Sequence, residues 1–175
     1  MPGLPGLRGT DHIGFTVPDL EQATAFLVDV LGCERFYDLG PIGADDDWMT
    51  RQLNVDARAV VRRIRNFRCR NGANFEVFEY DAAAQRTEPP RNSDVGGHHV
   101  ALYVDDLDAA IAHLRSHGVR LLGEPVHRLE GPNGGRSWIY FLAPWGMQFE
   151  LVSYPRGMGY ERTTTARMWD PRHPP

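Results

Sequence analysis

Two histidines and two glutamates stand at matching places in a sequence that repeats itself. His12-Ile-Gly-Phe-Thr-Val17-Pro-Asp19-Leu20 overlays His99-Val-Ala-Leu-Tyr-Val104-Asp-Asp106-Leu107, with His, Val, Asp and Leu each displaced by 87 positions, as 99 is from 12. A second match closes each copy, where Asn74-Phe-Glu76-Val-Phe-Glu-Tyr80 and Gln148-Phe-Glu150-Leu-Val-Ser-Tyr154 share a Phe-Glu-apolar core. Self-similarity at a fixed displacement marks a duplicated module. Imidazole nitrogens and carboxylate oxygens are donors for transition metals, and carboxylates also move protons.

The elements that must carry these side chains follow from periodicity. In a strand alternate residues face opposite sides, so His12 goes with Gly14 and Thr16, and His99 with Ala101 and Tyr103. Ile13, Phe15, Val17 and Val100, Leu102, Val104 make the opposite, apolar faces. Leu20, Ala23, Phe26, Leu27, Val30 and Leu31 have helical spacing, as do Leu107, Ala110, Ile111 and Leu114. Each helix opens near Asp19 or Asp106 and stops at Gly32 or Gly118. Strand-like runs at Val60–Cys69 and Trp138–Leu142 then lead, through the turn signals Asn71-Gly72 and Pro144-Trp145-Gly146, into the glutamate segments. Each half therefore reads as strand, helix and a strand ladder closed by a hairpin.

From His to Glu the first half spans 64 positions and the second 51, so the first carries about 13 extra residues. Gly40 to Asp56, with Asp45-Asp46-Asp47, reads as the loop that holds them. Asp81 to Gly97 reads as a connector, and the Pro/Arg-rich stretch after Tyr154 as a tail in which Met158, Tyr160, Met168 and Trp169 could dock on a surface.

On the closing strands Glu76 leaves the face opposite Phe75 and Val77, and Glu150 the face opposite Phe149 and Leu151. If a pseudo-twofold relates the halves, His12, Glu76, His99 and Glu150 converge. A carboxylate amid apolar residues is costly without a compensating charge, and a divalent cation supplies one. Two neutral imidazoles and two carboxylates balance M²⁺ and leave two cis positions open on an octahedral ion, suiting Ni, Co, Zn, Mn or Fe. His98 is the register rival of His99, but it shares a face with Val100. His113, His117, His127 and His173 fall in helix, loop or tail contexts.

Composition narrows the alternatives. The chain has 175 residues, 42% of them hydrophobic, and a net charge of -4. This suits one sizeable core and argues against nucleic acid as a partner. All 19 basic residues are arginines, which excludes Schiff-base and phosphate-loop lysine chemistry. The cysteines Cys33 and Cys69 make neither a disulfide framework nor a CxxC site, and a reducing cytoplasm is expected. Neither a secretory leader nor a membrane span is expected.

The paired halves, with Asp-His12-Ile-Gly-Phe-Thr-Val-Pro-Asp and Phe-Glu150-Leu-Val, resemble the vicinal oxygen chelate superfamily, also called the glyoxalase/bleomycin-resistance/extradiol-dioxygenase family, over about Gly9 to Pro155. The resemblance implies an α+β fold, two βαββ modules forming a curved mixed sheet around a metal site. The modules would span 9–80 and 97–155 within one domain, 1–155, followed by a tail, 156–175. It carries metal ligation onto His12, Glu76, His99 and Glu150, a set like that of glyoxalase I. Methylmalonyl-CoA epimerase has Gln at the place of Glu76; extradiol dioxygenases and fosfomycin-resistance enzymes use two His and one Glu.

The implied activity is that of a lyase or isomerase that stabilises an enediolate on a small oxygenated substrate, with Glu150, Glu76 or both moving the proton. Ring-cleaving dioxygenation and non-catalytic antibiotic binding are the rivals. Trp48, Arg65 and Arg136 are candidate substrate-binding residues, the arginines to clamp a carboxylate or phosphate and the tryptophan to stack. A homodimer is also implied.

Overall fold

Asp19 and Asp106 cap their helices as their positions predict. Asp19 accepts from the Glu21 and Gln22 backbone N–H groups, and Asp106 from that of Ala109. Residues 3–173 are described by a computed structural model; residues 1, 2, 174 and 175, at the outer bounds of the domain and tail read from the sequence, lie outside them. The chain divides into two compact units, Met1–Thr87 and Glu88–Pro175.

The first unit runs β1 (His12–Thr16), α1 (Leu20–Ala25), continued by a π-helical turn over Phe26–Val30, β2 (Glu34–Leu39), α2 (Trp48–Leu53), β3 (Val60–Arg68) and β4 (Asn74–Asp81). The second runs β5 (Val100–Tyr103), α3 (Leu107–Ser116), β6 (Arg120–His127), β7 (Ser137–Leu142), β8 (Gln148–Ser153) and a 3-10 turn at Gly159–Arg162. Each unit holds a four-stranded mixed sheet, in the orders β1-β4-β3-β2 and β5-β8-β7-β6. In each the first strand pairs in parallel with the last and the other pairs are antiparallel. These are the βαββ modules of an α+β fold. The edge strands β2 and β6 carry no clear alternation, which is why the sequence reading does not delimit them.

Each sheet buries one face under its own helix. Phe15, Val17, Leu20, Ala23, Leu27, Phe67, Phe75 and Val77 form the first core, and Val100, Leu107, Ile111, Leu114, Ile139, Phe141, Phe149 and Leu151 the second. Burial of this kind contributes about 25 cal/mol per Å² of apolar surface and is the main force holding each module closed.

Two expectations are corrected. Gly40–Asp56 is more than a loop, because it contains α2, a helix too short for periodicity to reveal. Its Met49 is fully buried against Val61 and Ile64 together with Phe78 and Tyr80, which roofs the end of the sheet face opposite α1. Cys33 and Cys69 are joined by a disulfide. The antiparallel pairing of Glu34 with Arg68 sets the two cysteines opposite one another, a relation that sequence spacing does not display.

The C-terminal segment packs on its own unit. The Gly159 and Tyr160 N–H groups donate to the carbonyls of Gly134 and Pro132, and Met158 is buried. Arg172 donates to the Tyr154 and Pro155 carbonyls and lies over the Tyr103 and Tyr154 rings. A cleft of about 590 Å³ there is lined wholly by residues between Tyr154 and His173. Among the described residues no helix is long and apolar enough to cross a membrane.

Candidate active site

Strand register makes the same pair in both modules. Gly14, two residues after His12, lies beside Glu76, and Ala101, two residues after His99, lies beside Glu150. Histidine and glutamate thus leave one face of each sheet as diagonal neighbours. His12 Nε2 stands 3.2 Å from Glu76 Oε2, and His99 Nε2 stands 3.1 Å from Glu150 Oε2. A Cβ at Gly14 would make ordinary contact there, 3.6 Å from the Phe78 ring and 4.0 Å from the Glu76 carboxylate.

The other ring nitrogen of each histidine is held from behind. His12 Nδ1 donates to Asp11 Oδ2 at 2.8 Å, and His99 Nδ1 to Asn92 Oδ1 at 3.2 Å. Asn74 fixes Asp11 in turn, through its backbone and side-chain N–H groups on the Asp11 carbonyl. A proton committed at Nδ1 leaves the Nε2 lone pair free, the usual arrangement behind a metal-binding imidazole. The hydrogen bond to Asp11, with the Glu76 charge beside it, holds His12 above the ordinary histidine range against the opposing effect of burial.

Asn92 lies in the connector and gave no signal in the sequence. Its turn is wound tightly by the Arg91, Asp94 and Gly97 backbone N–H groups. A Cβ at Gly97 would collide with the carbonyls of Arg91 and Asp94. His98 turns instead toward the Gly96 carbonyl.

The two glutamates differ in surroundings. Glu76 is 25% exposed and faces His12. Glu150 is 3% exposed, and its second oxygen accepts from Arg136 Nη2 at 2.8 Å. A guanidinium thus stands beside the buried Glu150 carboxylate, on the oxygen that does not face His99. Arg136 also stacks over Trp138, whose other guanidinium neighbour is Arg128. Tyr140 lies opposite Glu150 and meets the edge of the His99 ring at 5.1 Å; burial and the Glu150 charge raise its hydroxyl above the ordinary range.

The remaining candidates separate. Arg136 stands in the site, while Trp48 opens α2, partly exposed, beside the roofing Met49. Arg65 departs from its expected role as a substrate clamp. It is 2% exposed on the helix-covered face, opposite Val77, and donates to both Asp38 oxygens, both Glu21 oxygens and Thr24 Oγ1. Arg65, joined by Arg63, holds the Glu21 carboxyl below the ordinary range, and Arg65 does the same to Asp38. Such saturation makes Arg65 a tie between α1, β2 and β3. Its neighbours in the sequence do not reveal that role, because the carboxylates that hold it come from β2 and α1.

The sequence profile of the Glyoxalase/Bleomycin resistance protein/Dioxygenase superfamily matches residues 11–140. The chain belongs to this superfamily. A 2-epi-5-epi-valiolone epimerase from Actinomyces sp is 48% identical over 170 residues, covering 97% of this chain and 92% of that protein. Among solved structures, a glyoxalase-family protein from Bacillus cereus has a TM-score of 0.65 at 18% identity, covering 86% of this chain and 98% of its own. The fosfomycin resistance protein FosX from Listeria monocytogenes, complexed with Mn(II) and sulfate, has a TM-score of 0.53 at 22% identity, covering 90% and 99%. These two likenesses establish the fold.

A glyoxalase fold implies a metal, and the donors can be tested against one. Among the described residues no three or more His, Cys, Asp or Glu side chains gather in an arrangement that could hold an ion. The described donors form pairs, His12 with Glu76 and His99 with Glu150. Two donors about 2.1 Å from one ion and at right angles to each other lie about 3.0 Å apart, close to the 3.2 and 3.1 Å observed. Each pair by itself has the spacing of two donors to one ion.

Proposed function

We propose that this glyoxalase-superfamily chain is a metal-dependent isomerase, an epimerase of a hydroxylated ketone such as 2-epi-5-epi-valiolone. The observation that carries the reading is the 48% identity with the epimerase from Actinomyces sp across 97% of the chain. The paired donors support it chemically. In this reading lyase chemistry yields to isomerisation, because the relative is named for inverting a stereocentre.

Epimerisation next to a ketone breaks one C–H bond, moves the proton to a base and returns a proton to the other face, with no net redox change. His12, Glu76, His99 and Glu150 are the residues that would hold the divalent ion. A divalent ion held there would supply Lewis acidity, which favours the negative charge that proton removal leaves on oxygen. Glu76 and Glu150 are the carboxylates that move the proton. Arg136 keeps Glu150 in place and presents positive charge beside it, while Asp11 and Asn92 hold the two imidazoles in a fixed tautomer.

Solvent exchange tests the reading. The purified chain, supplied with Mn²⁺, Co²⁺, Ni²⁺, Zn²⁺ or Fe²⁺ in turn, is incubated with 2-epi-5-epi-valiolone in D₂O and followed by ¹H NMR. Deuterium should enter next to the carbonyl as a second epimer accumulates, and Glu76→Gln or Glu150→Gln should slow both by at least about 100-fold. Absence of exchange and of a new epimer with every metal refutes the proposal.

A further inference from the structure

Asn66 sits on β3 directly opposite Glu76 on β4, so its side chain leaves the sheet on the face that carries His12 and Gly14. Its amide Nδ2 is buried and has no hydrogen-bond partner. A buried N–H without an acceptor costs about 1–3 kcal/mol, and native proteins keep few of them. Glu76, its partner across the strands, turns Oε2 toward His12 and accepts no hydrogen bond from Asn66 Nδ2.

The surroundings bound what could accept this bond. On β3 the next residue toward the roof on the same face is Ile64, paired with Phe78, and both belong to the apolar cluster under Met49 of α2. Phe78 stacks on Tyr80 at 5.7 Å between ring centroids. Asn66 therefore stands where an apolar wall meets the His12–Glu76 pair. An acceptor there must be a neutral oxygen on a molecule with an apolar flank, because a second anion would be repelled by Glu76. A hydroxyl or keto oxygen on a carbon ring meets both conditions.

We infer that Asn66 is a substrate-binding residue that donates its side-chain N–H to a hydroxyl or carbonyl oxygen of the ketone, with Ile64, Phe78 and Met49 forming the apolar wall beside it. The assignment rests on the epimerase reading and deepens it, by naming a group that selects hydroxylated substrates. A site built to donate to an oxygen discriminates strongly against analogues that lack it, since the donor is then left unpaired.

The test compares wild type with Asn66→Leu, which keeps the approximate shape and removes the donor, and uses 2-epi-5-epi-valiolone as the probe. KM should rise about tenfold with kcat within about twofold, while Tm holds or rises because a buried unpaired group has gone. If Asn66→Leu does not fold, Asn66→Ser is measured in its place and the same change in KM is expected. Unchanged KM, or a fall in kcat alone, overturns the assignment whatever happens to Tm. Wild-type failure on this ketone overturns the epimerase reading and the assignment together; wild-type turnover with an unaffected variant overturns the assignment alone.

Discussion

Changing Arg65 to methionine should separate a structural tie from a substrate clamp. The substitution keeps an unbranched apolar stem and removes a guanidinium that makes five hydrogen bonds. These include a two-pronged contact with Asp38, Nε to Oδ1 at 2.8 Å and Nη2 to Oδ2 at 2.6 Å. Removing one partner of a buried ion pair costs about 3–5 kcal/mol, because the other charge is stranded. The stranded groups here are not fully enclosed: Glu21 is 59% exposed and Asp38 29%, so water recovers part of the loss. The lower end, about 3 kcal/mol, is the expected cost. For a chain of this length that lowers Tm by about 6–12 °C. Near-UV circular dichroism during thermal unfolding measures it, and KM is measured on the same variant. The double variant Arg65→Met with Asp38→Leu should regain most of the loss, because replacing a whole buried pair with apolar groups is often close to neutral. A Tm change below about 2 °C together with a tenfold higher KM would show that Arg65 clamps substrate after all, and the reasoning would fail.

Acid sensitivity follows from the same cluster. Glu21 and Asp38 titrate lower in the folded chain than in the unfolded one, so their contribution is complete above the unfolded value near pH 4 and is lost as pH falls through the folded values. Tm should therefore drop below about pH 4, less steeply in Arg65→Met; equal slopes would dissociate the acid loss from Arg65. Asp11→Asn should weaken Mn²⁺ or Co²⁺ binding about 10–100-fold by calorimetry. Unchanged affinity would remove Asp11 from the support of His12.

Much of the molecule was legible before any coordinates. The displacement of 87 residues between His12 and His99, the capping aspartates and the period-2 faces specify two copies of one module. They also place each histidine and glutamate on a common face, because side-chain alternation and helix capping are local properties of the chain. The Asn71-Gly72 hairpin is read the same way. What tertiary structure alone decided lies between distant residues. Arg65 is a structural tie and not a substrate clamp because its carboxylate partners come from α1 and β2, distant from it in sequence. The Cys33–Cys69 bridge depends on the register of β2 with β3. Asn92 reaches His99 only through a tightly wound connector, and Arg136 answers the charge of Glu150 across a hairpin. α2 is helical because Met49 has a core to enter, which a helix of six residues needs, since its own hydrogen bonds do not sustain it.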